Sequence, residues 1–473
     1  MVVLRGGGLG GLGNYDDGVY FAAAIGLVHG VLPYRDFLLL HPPGIALLLS
    51  PFAELARLVG DPTAMSLARV AWMCLGGVNA LLVGLVIRPL GRSAALLAAL
   101  FYAVCYAAIY SEHTTVLEAP ATTALLGALA VLAPFSPKRR TTRVILIAGA
   151  LLGLSPAIKI WGVVMVLAVA AWVLVLEGWR RTLIFVAGAA ASCTLVCLPF
   201  FLISPGRMWR MVVRDQANRQ SGGYQPLARL QQIVGLAPLH GNGLLLTACA
   251  VAWLVVVAAL VICIVRRELR PLAALFGVAL LVLAATQVWF PHYAALTAAP
   301  LALLLGGAGS VVLNWLGRAA GRRAFLAAAV AVGVGLSAVG AAELAMAHTG
   351  GLRFPGRALA AAVAQSPGCV QTDLPMAIIQ MNVATRNVER GCRFEVDLGG
   401  WSRDLGSVQQ QRLPRGRNAL WQQFVLDYLR SGDLALVARF DSTPGFSAQT
   451  MRTYREWPAV DRVGPYTLRA PRG

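Results

Sequence analysis

The sequence predicts an all-α polytopic membrane protein of about ten transmembrane helices, followed by a small C-terminal extracytoplasmic α/β domain. Three observations point there. The chain of 473 residues is 58% hydrophobic and only 13% charged, with a mean hydropathy of +0.68. Apolar runs of membrane-spanning length recur along it. Short arginine clusters separate those runs, and composition turns polar beyond about residue 350.

The apolar runs cover 70–87, 144–157, 161–176, 183–203, 244–265, 271–289, 294–316 and 325–346, with two further spans at 93–110 and 119–135. The basic loops 88–92, 136–143, 178–181, 266–270 and 317–323 mark the cytoplasmic side. They carry much of the net charge of +19, so that charge is read as topology and not as nucleic-acid binding. Threading from them places the Ser155–Lys159 turn, the loop 205–243, the "FPHY" at 290–293, the "SEHTTVLE" at 111–118 and the opening 60 residues outside. Residues 44–59 are apolar but short, and contain Pro51, Glu54 and Arg57. They are read as a helix lying at the outer interface. An outside N-terminus needs a segment to carry it across, and residues 1–14 have no apolar run long enough. A preceding helix is therefore expected to be missing from this chain.

The division expected is 1–60 as a first outer loop, 61–348 as the transmembrane domain and 349–473 as an outer α/β domain. In the tail, 358–365 and 418–430 read as helices, and "CVQTD", "LALVARF" and "YTLRA" as strands. Of eight cysteines, six lie in or near apolar helices and behave as small hydrophobes. Cys369 and Cys392 lie in the tail. A disulfide between them suits an oxidising compartment, with two unpaired thiols as the alternative. "GGGLGG" at 6–11 has no βαβ context and Cys193 with Cys197 has no histidine partner, so neither is read as a site.

On this threading one set of polar residues collects at the outer face. It comprises Asp16 and Asp17; Arg35, Asp36 and His41; Glu112, His113 and Glu118; Lys159; Arg214, Asp215, Gln216 and Arg219; and His292 with Tyr293. Ionisable groups against apolar helices are costly and often functional. Lys159, between "LSPAI" and "IWGVVMV", is placed either to meet a phosphate or to anchor at the interface by snorkelling. Arg214 and Arg219 offer forked donors suited to phosphate. Outward carboxylates with outward cations at lipid level suit sugar transfer from a lipid-phosphate donor. A carboxylate takes the proton of an acceptor hydroxyl, and cations or a metal stabilise the leaving phosphate.

"YDDGVYFAAAIGLVHGVLPYRDFLLLHPPG" resembles the first outer loop of the polytopic glycosyltransferase-C superfamily. That superfamily includes protein O-mannosyltransferases, aminoarabinose transferases of lipid A, and actinobacterial mannosyl- and arabinosyltransferases. The acidic pair is followed by Gly30, Tyr34 and the His41-Pro42-Pro43 turn. "VLEAPATTALLGALAVLA" with Glu118 resembles the second outer loop, "LLGLSPAIKIWGVVMVL" a helix start ending in lysine, and "HYAALTAAPLALLLGG" a late helix. The resemblance covers about 14–315. It implies an inverting transferase of the plasma membrane, with its active site outside. The donor implied is a polyprenyl-phosphate sugar, and the acceptor a glycan, glycolipid or protein.

It further implies Asp16 as general base with Asp17 as its partner. His41, Glu118, Lys159, Arg214, Arg219, His292 and Tyr293 are expected to bind substrate or donor phosphate. A divalent cation shared by Asp16, Asp17 and Glu118 is compatible with the sequence. The competing readings are a lipid-linked-glycan flippase or other transporter, and a scaffolding member with a decayed site. A secondary transporter tends to bind near the midplane between internal repeats, and no repeat is visible.

Overall fold

In the computed structural model, the described residues are 8–136, 139–217, 226–236, 243–316, 354–364, 366–441 and 445–471, with positions 321, 324 and 327. Helices dominate. In chain order the first are α1 (Tyr15–Val28), α2 (Gly44–Val59), α3 (Asp61–Ile87), α4 (Arg92–Val104) and α5 (Tyr106–Glu112). Then come α6 (Glu118–Leu132), α7 (Thr142–Ile158), α8 (Gly162–Glu177) and α9 (Trp179–Ile203). Packing divides the chain into two compact units. One holds residues 71–197 and 221–350; the other holds 2–70, 198–220 and 351–473.

Among the described residues, five helices are long and apolar enough to cross a membrane, or six if one bent pair counts as a single span. The five are 61–90, Trp179–Ile203, 246–265, 267–285 and 291–316. Helices α6, α7 and α8 are equally apolar but have 15, 17 and 16 residues, shorter than the roughly 20 of a straight span. Of the expected span 325–346 only position 327 is among the described residues. Large apolar side chains such as Leu81, Leu254 and Leu281 are about 70% exposed. On helices of this composition that surface is one for lipid.

The expected single span 93–110 is instead the bent pair. Helices α4 and α5 meet at 59°. Cys105 is extended between them, and the Tyr106 N–H bonds the Gly235 carbonyl at 3.0 Å instead of continuing the helix. Close packing of α7 on α9 rests on small residues: a Cβ at Gly149 or Gly153 would lie 2.1 Å from the carbonyl oxygens of Phe185 or Ala189. Arg140, in the loop before α7, reaches Glu177 at the end of α8 at 3.1 Å, so the basic loops 136–143 and 178–181 share one end of this unit.

In the second unit, α1 is buried from Asp17 to Gly26, against α2 and the tail helices Pro375–Gln380 and Ala384–Glu389. Helix α2 is amphipathic, with Leu47, Leu48 and Leu58 exposed, as an interfacial helix requires. The tail contains a four-stranded sheet ordered β1-β2-β4-β3. Its strands are β1 (Val370–Thr372), β2 (Leu434–Leu436), β3 (Ala459–Val463) and β4 (Tyr466–Arg469). The pair β1/β2 is parallel and the other pairs antiparallel. Helix Ala419–Arg430 covers β1 and β2 and buries Trp421, Val425 and Leu429. Cys369 and Cys392 are joined by a disulfide with Cα atoms 5.8 Å apart. Asp61, the first residue of α3, accepts from the Ala384 and Thr385 N–H groups at 2.8 and 3.2 Å and so caps the helix they begin.

Candidate active site

The acidic pair opens α1. Asn14 caps the helix by accepting from the Asp16 N–H at 3.2 Å, and two carboxylates in the first turn suit the positive end of the helix. The two are dressed differently. Asp17 is fully buried, and its Oδ2 takes Nε and Nη2 of Arg69 at 3.0 and 2.5 Å. Arg69 spends Nη1 on the carbonyls of Leu9 and Gly11. Gly13 makes room for this fork: its φ is +62°, and a Cβ there would sit 2.4 Å from Nη2. Asp16 is only half-buried. Gly18 lets the Pro375–Gln380 helix sit directly on this turn, since a Cβ would lie 2.6 Å from the Met376 nitrogen.

The same unit shapes the loop after α1. Tyr34 is fully buried with φ +68°, and its hydroxyl donates to the His41 carbonyl at 2.6 Å. A left-handed tyrosine persists only where its surroundings over-determine it. The His41 ring stands edge-on to Tyr20, with centroids 5.6 Å apart. Arg35 and Asp36 pair with each other, and Arg35 holds the Asp36 carboxyl below the usual range. Gln216 donates to the Leu40 carbonyl at 2.5 Å.

Arg214 is half-exposed, with Nε 3.6 Å from Asp215. Asp215 is itself buried, and burial, followed by the neighbouring Asp404, pushes its carboxyl up to about 6. Arg210 Nε pairs with Asp404 at 2.7 Å. Arg219 lies outside the described residues.

The first unit gathers four of the expected residues at one place. Helix α7 ends through Pro156, Lys159 turns extended, and α8 begins at Gly162, where a Cβ would meet the Pro156 nitrogen at 2.4 Å. This tight junction sets the Lys159 ammonium between two rings, 4.2 Å from the Trp161 centroid and 4.3 Å from that of Tyr293. Its ion pair is with Glu118 Oε1.

His292 Nε2 lies 3.9 Å from the same oxygen, and its ring stacks on Phe290. The Pro291–Ala294 turn delivers His292 and Tyr293 together. Glu118 is placed by the loop before α6, where Trp72 Nε1 donates to the Val116 carbonyl at 3.0 Å. Glu118, Lys159, His292 and Tyr293 are all buried. A narrow cleft with about 30 Å³ of room opens beside them, lined by Glu118, Thr122, Ser155, Lys159, Trp161 and apolar neighbours. Interfacial anchoring by snorkelling does not describe this lysine, because its ammonium is enclosed and paired.

Sequence reading missed Arg69, whose signal was one arginine in "DPTAMSLARV" just before an apolar run. It also left Glu112 without a partner. Glu112 is buried and bonded by Asn79 at 2.9 Å and the Tyr102 hydroxyl at 2.7 Å. Its neighbour His113 puts Nδ1 3.0 Å from the Ile109 carbonyl. A cation held by Asp16, Asp17 and Glu118 does not fit the residues, since Asp17 already faces a guanidinium. Among the described residues no three His, Cys, Asp or Glu side chains gather as ligands.

Residues 40–209 match the family model described as dolichyl-phosphate-mannose-protein mannosyltransferase. No curated protein sequence matches. Among solved structures, ArnT from Cupriavidus metallidurans bound to undecaprenyl phosphate superposes with a TM-score of 0.63 at 13% identity, covering 100% of this chain and 96% of that one. The Archaeoglobus fulgidus oligosaccharyltransferase tethered to an acceptor peptide gives 0.56 at 14%, covering 92% of this chain and 65% of that one. AglB of the same organism, in complex with an inhibitory peptide and a dolichol-phosphate, gives 0.53 at 14%, covering 90% and 66%. At such identities the likeness is one of fold.

Proposed function

We propose that this chain, whose fold is that of the polytopic glycosyltransferase-C superfamily, moves a sugar from a polyprenyl-phosphate donor to an acceptor hydroxyl at the extracytoplasmic face of the plasma membrane. The observation that carries the reading is the division within the acidic pair. Asp17 is committed to Arg69 and fixes the first turn of α1, while Asp16 is the half-buried carboxylate beside it. Asp16 is then the general base. It takes the proton from the acceptor oxygen as that oxygen attacks the anomeric carbon. The bond from that carbon to the phosphate oxygen breaks on the opposite face, which inverts the centre, and the phosphate leaves with the electron pair.

Lys159 supports the same reading from the other unit. An enclosed cation in a cleft of apolar and aromatic side chains suits a phosphate that carries a lipid chain. Undecaprenyl phosphate and dolichol-phosphate, bound to two of the similar structures, are lipid phosphates of this class. His41, Arg214 and Arg219 are assigned to substrate or donor-phosphate binding, as are Glu118, His292 and Tyr293. The basic loops support an orientation with residues 1–60 and the α/β domain at 349–473 outside. The acceptor is a glycan, glycolipid or protein hydroxyl, and the sugar a hexose or pentose. The test is sugar transfer in membranes supplied with a lipid-linked sugar. Asp16→Asn is expected to lower product by about 10²–10⁴-fold. Unchanged product from Asp16→Asn and Asp17→Asn alike rejects the assignment.

A further inference from the structure

Lys159 is not a bare cation. Glu118 neutralises it, and the two aromatic rings close around the pair. Both groups are about 95% buried or more, so the charges inside the cleft must balance. Among the described residues the ammonium and the carboxylate sum to zero. A phosphate diester arriving at Lys159 makes it one negative charge, in surroundings where an unpaired charge is costly.

The structure offers a remedy. Glu118 Oε2 is buried and has no hydrogen-bond partner among the described residues, so half of this carboxylate is unspent there. His292 Nε2 stands 3.9 Å from Oε1, too far for a hydrogen bond and close enough for an ion pair. Histidine is the side chain that can gain a proton near neutral pH. Among the described residues, the helices packed most closely on the Pro291–Ala294 turn bring two other charged side chains, Glu112 and Arg229. Glu112 on α5 is held by Asn79 and Tyr102, beside the neutral Tyr106 and Tyr110. Arg229 on the helix Pro226–Ile233 is held by the Thr286 and Gln287 carbonyls.

We propose that Glu118 is a displaceable counter-ion. It discharges Lys159 while the cleft is empty. It passes to a protonated His292 when a phosphate takes Lys159, so that binding of the anion is coupled to uptake of one proton. This rests on the donor-phosphate reading of Lys159. The only bond formed is an imidazole N–H; its proton comes from solvent and is returned when the lipid phosphate departs.

The test is isothermal titration calorimetry of the full chain in detergent. The probe is the methyl ester of a polyprenyl phosphate, a diester with one fixed charge. Titrations at pH 7 in two buffers of different ionisation enthalpy give the protons exchanged. Uptake of about one proton per ligand is expected for the unaltered chain. Uptake should vanish in His292→Gln, with weaker binding. It should vanish in Glu118→Gln with binding several-fold tighter, because the competing anion is gone.

Binding that Lys159→Ala weakens, but that takes up no proton, overturns the counter-ion proposal and leaves the phosphate reading standing. Weaker binding by Glu118→Gln also overturns it, since that marks a structural carboxylate. Binding indifferent to Lys159→Ala overturns both. His292→Gln keeps the proton test available if the Glu118 variant does not fold.

Discussion

Replacing Arg69 by methionine tests how the acidic pair is built. The change keeps most of the side chain's volume and removes its charge and donors. In the structure Arg69 is 2% exposed and Asp17 0%. The variant therefore leaves a wholly buried carboxylate without its cation, and also releases the Leu9 and Gly11 carbonyls. Breaking a buried pair in this way costs about 3–5 kcal/mol. Asp17→Asn costs less, about 1–3 kcal/mol, because the guanidinium keeps two carbonyl acceptors. The double variant should be more stable than Arg69→Met alone, since neither partner is then left charged. Thermal unfolding of the purified chain in detergent reads this order, with a fall of roughly 3–5 °C for Arg69→Met. An Arg69→Met protein that melts with the unaltered chain refutes the coupling of Arg69 to Asp17.

Three further outcomes are expected. Asp215→Asn should flatten the pH dependence of stability. The Asp215 carboxyl is raised to about 6, so the folded state holds a proton that the unfolded chain releases nearer 4. Stability of the unaltered chain then falls between about pH 4 and pH 6 as pH rises, and a melt series that is flat there for both proteins contradicts this. Opening the Cys369–Cys392 link, which spans 23 positions of sequence, by Cys→Ser at both should cost about 3 kcal/mol, read as a lower melting temperature than the oxidised chain. Gly18→Ala drives a methyl group to 2.6 Å from the Met376 backbone and should cost about 1–3 kcal/mol, whereas an unchanged melt places the helices further apart.

The membrane helices were legible because lipid-facing segments need unbroken apolar runs: the runs 183–203, 244–265, 271–289 and 294–316 fall close to 179–203, 246–265, 267–285 and 291–316, whereas 70–87 covers only the later part of 61–90. The bend at Cys105 was not, because it arises from the distant Gly235 carbonyl and not from a proline or glycine. Asp16, Asp17, Glu118 and Lys159 were visible as charges in apolar sequence. Their partners were harder to see. Arg69 is 52 positions from Asp17, and His292 is 174 positions from Glu118, so no local pattern joins them. The tail's strands β1, β2 and β4 showed as short apolar runs. Strand β3, "AVDRV", is mostly exposed and has no hydrophobic face to announce it. The packing of 2–70 with 351–473 in one unit depends on contacts such as Asp61 with Thr385, which spacing along the chain does not encode.

The most direct test of the catalytic reading is a paired measurement on Asp16→Asn, with transfer from a lipid-linked sugar and binding of the lipid phosphate read in the same membranes. Transfer should fall by about 10²–10⁴-fold, the contribution of a general base, while lipid-phosphate affinity is unchanged. Full transfer by Asp16→Asn would contradict the assignment of Asp16 as the base.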